Sequence, residues 1–399
     1  MCTMPVAPTQ SPGRPRNYAI MTAITALVII YGSLYPFDFS IPAGGPGPVT
    51  ALLDSWTNRP SRGDFLANIL LYMPLGFFGV LSLSRRVGFG RRVPVVVAGG
   101  ALLSLTVELT QYYDVGRDTN ATDLYTNTAG TFIGATVAML FSNRLSFPLF
   151  PEIKARPVPA LLIASWLGYR FYPYVPTIDL HKYWHAIKPV ILDPIPVPLP
   201  LYRHTSIWLA LFALIEAIAG RRRSALLAPL FAAFVLSMRV LIISTFLSAA
   251  EVVGGVIAIC AWPLLLVVNQ RMRAALLFLV LGGYVILERL EPFQFGPYAR
   301  PFGWIPFNGF MNGSVEIDAL SFMEKSFLYG SLLFLLGRAG MRAGLAASLV
   351  AAMLFGTSWA ETYLTDRSGE VTDALMTLMI AAGFALIGDE DLRPARRSR

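Results

Sequence analysis

Long apolar runs constrain this chain more than any other feature of its sequence. We find twelve runs of about 20 residues, a length that crosses the hydrocarbon core of a bilayer as one helix. Only 14% of the 399 residues are charged, whereas soluble domains carry about 25% charged residues. The approximate spans are 17–35, 64–83, 93–112, 123–142, 157–173, 203–219, 225–243, 247–268, 274–290, 319–337, 342–361 and 372–388. The sequence therefore predicts an all-α polytopic membrane protein.

The first run also has the features of a signal-peptide core, because Arg14 and Arg16 precede it. However, no small-residue cleavage site ends it cleanly, and Tyr35-Pro36-Phe37 follows as an expected interfacial anchor. We interpret the run as the first transmembrane helix, with cleavage as the alternative.

Basic residues predict the orientation of the helices. Arginine clusters occupy both tails and alternate connections, at 85–92, 144–156, 221–223, 271–273 and 338–342. Such clusters mark cytoplasmic loops, so both termini are predicted to be cytoplasmic. The same placement accounts for the net charge of +8, and we expect no nucleic-acid partner.

Three groups of four runs share polar positions, which predicts an internal repeat. In each group the first helix ends in a proline corner: Tyr35-Pro36-Phe37, Tyr172-Pro173-Tyr174 and Glu291-Pro292-Phe293. The third helix ends with a charged residue: Glu108, Arg239 or Glu361. The fourth helix begins with an acid: Asp123, Glu251 or Asp373. Because four helices per group is an even number, the three groups are predicted to be parallel.

This pattern predicts five segments along the chain. They are a cytoplasmic tail at 1–16, a first repeat at 17–145, a divergent second repeat at 157–270, a third repeat at 273–389 and a basic tail at 390–399. Three long connections, near 36–63, 173–202 and 291–318, are rich in proline and aromatic residues. They are predicted to lie on the extracytoplasmic side, at the interface.

The polar stretch from Glu108 to Asp123 also falls on the predicted outer side. Ionisable groups near membrane helices are costly unless they are paired or hydrated, so they suggest function. One interpretation is structural: Arg117 and Arg367 pair with Asp123 and Asp373, each six residues later, which cap the fourth helices.

The alternative interpretation is a polar pocket for an anion, because an arginine fork suits phosphate or carboxylate. The candidate ligand-binding residues are Asp64, Asn68, Gln111, Arg117, Asp123, Asn127, Lys325, Arg367 and Asp373. Glu108 and Glu361 are candidate general acids, should the chain be an enzyme. His181 and His185 have helical spacing, but an interfacial segment is favoured over metal ligation, and we predict no metal and no cofactor.

Several of these residues form a pattern that resembles the VanZ-like family. They are Asp64, Asn68, Tyr72, Pro74, Gly76, Glu108, Gln111, Arg117, Asp123, Asn127 and Gly130. The resemblance covers residues 20–145 in full. Residues 290–388 keep Glu361, Arg367 and Asp373, but they lack the glutamine and the asparagine, and the resemblance of 157–270 rests on the repeat alone.

The VanZ-like family takes its name from a protein linked to teicoplanin resistance. The resemblance therefore implies the bacterial inner membrane and a role in cell-envelope metabolism or glycopeptide-antibiotic resistance. The expected partners are membrane lipids, with polyprenyl phosphate or a lipid-linked envelope intermediate as candidate ligands. A flippase or transporter of an envelope precursor and a non-catalytic membrane scaffold are the alternatives.

Overall fold

The computed structural model describes residues 14–35, 37–42, 44–57, 62–83, 87–115, 119–142, 156–311, 314–365 and 367–387. All of the regular elements in these ranges are helices, in agreement with the predicted all-α fold. The chain forms two compact units, Met1–Pro148 and Leu149–Arg399. Each unit is described by itself.

Unit 1 contains five α-helices within its described residues. They are α1 (Arg14–Leu34), α2 (Pro48–Asp54), α3 (Arg62–Ser82), α4 (Arg92–Gln111) and α5 (Ala121–Ser142). All except α2 coincide with runs predicted from hydropathy. An apolar chain in lipid must satisfy its backbone internally, which explains why these runs are helical.

Close packing of α3 against α5 holds unit 1 together. Glycines make this approach possible: a Cβ atom at Gly134 would lie 1.9 Å from the Met73 carbonyl oxygen, and one at Gly130 would lie 2.3 Å from that of Ile69. Gly130 and Gly134 are spaced as in the small-xxx-small pattern of packed membrane helices. The predicted motif residue Gly130 therefore has a packing role.

Unit 2 contains ten α-helices within its described residues. They are α6 (Pro157–Arg170), α7 (Leu180–Leu192), α8 (Pro198–Ala219), α9 (Arg221–Leu241), α10 (Ala249–Val267), α11 (Gln270–Leu290), α12 (Asn308–Met311), α13 (Val315–Ala339), α14 (Ala343–Glu361) and α15 (Thr372–Ile387). Predicted runs match eight of them. Helices α8, α9, α11 and α13 begin about four residues earlier than predicted, because proline or polar residues form their first turns.

The centre of unit 2 consists of α6, α8, α11 and α13, which pack in a reciprocal pattern. Helix α6 contacts both α8 and α13, and α11 contacts the same two helices. Trp166 lies at the middle, with its ring centroid 5.4 Å from that of Trp208 and 6.2 Å from that of Phe327. All three side chains are buried, so aromatic packing supplies much of the contact area in this core.

Among the described residues, seven helices are long and apolar enough to cross a membrane. They are the runs 17–34, 92–111, 198–219, 221–241, 249–267, 316–339 and 343–361. Shorter apolar helices occupy 68–82 and 372–387. The molecule is thus a multi-pass α-helical membrane protein.

The three predicted proline corners share one backbone conformation. The residue after the proline has a positive φ at Phe37 (65°), Tyr174 (63°) and Phe293 (61°). In all three corners this residue donates its N–H, at 2.7 Å, to the carbonyl three residues earlier. The end of each unit that carries these corners is called the corner end below.

Each corner also pairs with the turn that follows a third helix. The bridges join Phe39 to Asp114, Pro176 to Ile242 and Phe295 to Leu364. Positive φ values are uncommon outside glycine, and three matching ones with matching bridges indicate a recurrent local structure.

Candidate functional site

A buried charged cluster occupies the corner end of unit 2, where α11, α13, α14 and α15 meet. Arg289 lies at its centre and donates to Asp373, to the Glu361 carboxylate at 2.8 Å and to Ser358 Oγ at 2.7 Å. Lys325 donates to the second oxygen of Asp373 at 2.8 Å. Two cations thus face two carboxylates, so this Arg289 cluster has no net charge if all four groups are ionised.

The expected pairing of Arg367 with Asp373 needs correction. Asp373 is held by Arg289 and Lys325, whereas Arg367 donates to the main-chain oxygens of Glu288 and Glu291, at 3.2 and 3.3 Å. Arg289 is provided by the last turn of α11, which places it nearer to the acid than the turn residue Arg367. Arg367 therefore ties the turn before α15 to the end of α11.

A second buried cluster lies at the corner end where α6, α9 and α10 meet. Glu251 forms an ion pair with Arg170, and its carboxylate lies 3.4 Å from Arg239 Nε. Glu251 is 2% exposed, and each arginine side chain is 12% exposed. Two guanidinium groups share one carboxylate, so this Arg170 cluster carries a net charge of +1 if all three groups are ionised.

Additional positive charge lies next to Arg239. The Lys182 ammonium on α7 donates to the main-chain oxygens of Arg239 (3.2 Å) and Val240 (2.6 Å). Burial, together with the Arg239 charge, lowers the pKa of Lys182 from its usual value. A group that sits against other cations in this way would gain from a bound anion.

A groove of about 430 Å³ opens beside the Arg170 cluster. Its polar lining includes Arg170, Arg239, Thr245 and Glu324, and its apolar lining includes Phe246 and Ile317. The Nε atoms of both arginines are buried and have no hydrogen-bond acceptor among the described residues. A polar floor with an apolar mouth is the usual form of a site for an amphiphilic ligand.

Unit 1 has a buried polar cluster of different composition. Glu108 is 2% exposed, and its carboxylate accepts from the Asn120 N–H at 2.9 Å. Asn127 donates to Ser104 Oγ at 2.9 Å, while its Oδ1 atom is buried without a partner among the described residues. Asp123 lies in the first turn of α5 and is half-buried.

The bridges revise the predicted register between unit 1 and the two clusters of unit 2. Asp114, Ile242 and Leu364 occupy the same place in their three bridges. Three residues before these positions stand Gln111, Arg239 and Glu361, which therefore correspond to one another. Glu108, which was predicted to correspond to Arg239 and Glu361, lies one helical turn before that position. The spacing to the acid of the fourth helix then becomes the same in all three copies.

Gln111 also has a partner that fits this register. Its Nε2 atom donates to the Ser33 carbonyl at 2.8 Å. Ser33, Arg170 and Arg289 each precede a corner proline by three residues. An amide–carbonyl contact in unit 1 thus takes the place of the arginine ion pairs in unit 2.

The other predicted site residues fall as follows. Asn68 lies on α3 and is half-buried. The Asp64 side chain and Arg117 lie outside the described residues. His181 and His185 lie on α7 with their Nε2 atoms 3.0 Å apart, and within the described ranges no three His, Cys, Asp or Glu residues could jointly hold a metal.

Sequence reasoning missed Arg170 and Arg289, the central cations of the two clusters. The signal was present, since both precede the corner prolines that defined the repeat. Both residues lie in the last turn of an otherwise apolar helix, and their acidic partners lie on other helices, so local spacing does not reveal the pairs.

Comparisons with known proteins cover part of the chain. No curated protein and no solved structure matches it. Residues 16–142, less than half of the chain, match the model of the VanZ/LLP1 family, which confirms for unit 1 the resemblance predicted from the sequence.

Proposed function

We propose that the chain is a VanZ-like protein of the bacterial inner membrane that binds the phosphate of a lipid or lipid-linked envelope intermediate. The site lies on the extracytoplasmic side, and its role is in cell-envelope metabolism or glycopeptide-antibiotic resistance. One observation carries the proposal: Arg170 and Arg239 share a single carboxylate beside a groove with an apolar mouth. An anion in the groove would balance the remaining charge.

Phosphate suits this groove better than it suits the Arg289 cluster. Buried guanidinium groups bind phosphate through parallel N–H donors, and they do so most strongly away from water. In the Arg289 cluster two carboxylates face two cations, and the Nη donors of Arg289 already have carboxylate and hydroxyl acceptors. The anion-binding role that the sequence suggested for Lys325, Arg367 and Asp373 is therefore transferred to Arg170 and Arg239.

The proposed architecture consists of three parallel four-helix repeats with both termini in the cytoplasm. The three corners of equal conformation and the three equivalent bridges support the repeat. The orientation rests on the arginine clusters.

Topology reporters test this orientation. We expect a reporter fused after Gly116 to report a periplasmic location and one fused after Gly220 to report a cytoplasmic location. The two positions serve as mutual controls. Exchange of the two signals would contradict the orientation, and with it the extracytoplasmic site.

The binding proposal is tested by a charge-balanced variant, Arg170→Gln with Glu251→Gln. The change keeps the net charge of the cluster at +1, but it leaves Arg239 without its carboxylate, so we also expect a measurable loss of stability. We expect the phosphate-bearing lipids that co-purify with the protein, identified by mass spectrometry, to fall by about tenfold, equivalent to one strong charged contact.

The matched control is Asp193→Asn, which changes an exposed acid on the same predicted side. It should keep the lipids of the parent protein. If the double variant folds and holds the same lipids at the same occupancy, the binding proposal is wrong. The protein would then fit the scaffold alternative better.

The flippase alternative receives less support from the geometry. Transporter sites generally lie near the bilayer midplane, between repeats. The two charged clusters of unit 2 and the groove lie at the corner end instead, close to the turns that follow α6, α9 and α11. A site at one end of the helices favours binding from one side.

A further inference from the structure

The groove beside the Arg170 cluster has a second, oppositely charged wall. Glu324 lines this wall, and it accepts from Arg203. Arg203 also lies 3.4 Å from the Glu288 carboxylate. Two carboxylates therefore share one guanidinium, so these three groups carry a net charge of −1 if all are ionised, and Glu324 is the member that lines the groove.

This acidic wall is accessible to solvent and to a ligand. The side chains of Arg203, Glu324 and Glu288 are 31%, 26% and 32% exposed. The carboxylate of the Arg170 cluster is almost fully buried in comparison. Among the described residues that line the groove, Glu324 is the one acid that an entering cation would meet.

The two walls are connected by Tyr169. Its hydroxyl accepts from Arg203 at 3.2 Å, and the residue lines the groove next to Arg170. The groove consequently has a positive end and a negative end within one continuous lining. Charges of opposite sign placed in this way increase the selectivity of a binding site more than its affinity.

We infer that the headgroup bound in this groove carries a protonated amine as well as a phosphate, with the phosphate at Arg170 and Arg239 and the amine at Glu324. The inference rests on the proposed function and specifies its ligand class: an amphiphile of the phosphoethanolamine type. A ligand with phosphate alone would leave the acidic wall facing an anion, which is unfavourable.

The mouth of the groove provides a place for the chain of such an amphiphile. Ile317 is 68% exposed and Phe246 is 60% exposed, and both line the groove. In a membrane protein such side chains at the edge of a groove can contact acyl chains directly. A headgroup without chains would lose that contact.

The test compares phosphatidylethanolamine with phosphatidylglycerol of the same acyl chains, titrated onto the purified protein and followed by native mass spectrometry. We expect the parent protein to prefer the amine lipid by about fivefold, the scale of one partly exposed ion pair. Glu324→Gln should remove the preference while phosphate-lipid binding persists. Arg203 keeps Glu288 as a partner in this variant, so the fold should tolerate the change.

Asp193→Asn should leave the preference unchanged, and soluble glycerophosphoethanolamine should compete only weakly if the chains occupy the mouth. Strong competition by that soluble headgroup would show that the site binds a soluble phosphoethanolamine compound. It would overturn the inference that the ligand is a lipid. Equal or tighter binding of phosphatidylglycerol by the parent protein would refute the inference that the headgroup carries an amine, while the proposed function would stand. Absence of binding for both lipids would refute the proposed function as well.

Discussion

Replacement of Asp373 by alanine is expected to lower the free energy of unfolding by about 3–5 kcal/mol, the usual cost of breaking a buried ion pair from one side. Asp373 is 6% exposed and binds both Arg289 and Lys325. Its loss leaves two cations facing Glu361 alone. Thermal unfolding of the purified protein in one detergent measures the effect.

A second change at the same site provides the control for this prediction. Arg367→Gln alters a residue that was expected to pair with Asp373 but contacts main-chain oxygens instead. We expect a smaller loss, about 1 kcal/mol, as for ordinary hydrogen bonds. If Arg367→Gln destabilises the protein as much as Asp373→Ala does, the assignment of partners in the Arg289 cluster is wrong.

Replacement of Glu251 by glutamine should have opposite effects on stability and on ligand binding. The free protein should lose about 3–5 kcal/mol, because Arg170 and Arg239 remain buried without a counter-charge. A phosphate-bearing lipid supplies that charge, so its affinity should rise on the order of tenfold or more. The thermal shift produced by added lipid, measured for the parent protein and the variant, reports both effects.

The double variant Arg170→Gln with Glu251→Gln is the matched comparison for this prediction. It lacks one arginine as well as the carboxylate, so its lipid-induced shift should be smaller than that of the parent protein. A single variant whose lipid-induced shift is equal to or smaller than that of the parent would contradict an anion site at the Arg170 cluster.

Most of the helical architecture could be predicted from the sequence because hydrophobic length is a direct consequence of the bilayer. Helices occur at all twelve predicted positions in the described residues. The positions of the proline corners could also be predicted, since proline restricts its own φ and the conformation of the residue before it. Helix α7 lies in a segment that was predicted to be interfacial, although its bounds were not predicted.

The charged partners could not be predicted in the same way. Sequence spacing suggested a bond between Arg367 and Asp373, but helix packing brings Arg289 from a different helix to that acid. The prediction that Glu108 corresponds to Glu361 was wrong for a related reason. Only the bridges reveal that Gln111, at the end of its helix, occupies the position of Glu361. Contacts between distant helices depend on packing, which local spacing does not encode.

The acidic wall of the groove was invisible to sequence analysis for a further reason. Arg203, Glu288 and Glu324 lie on three helices and are far apart in the chain. Each of them lies near the end of an apolar run, and in the sequence Glu288 and Glu324 stand directly before the basic residues Arg289 and Lys325. Their common function emerges only when α8, α11 and α13 pack together.

A density map of the protein in nanodiscs containing phosphatidylethanolamine and phosphatidylglycerol would test the central claim most directly. We predict a lipid phosphate in the groove, at hydrogen-bonding distance, about 2.7–3.0 Å, from a nitrogen of Arg170 or Arg239. An empty groove, with ordered lipid phosphate bound at the Arg289 cluster instead, would contradict the account.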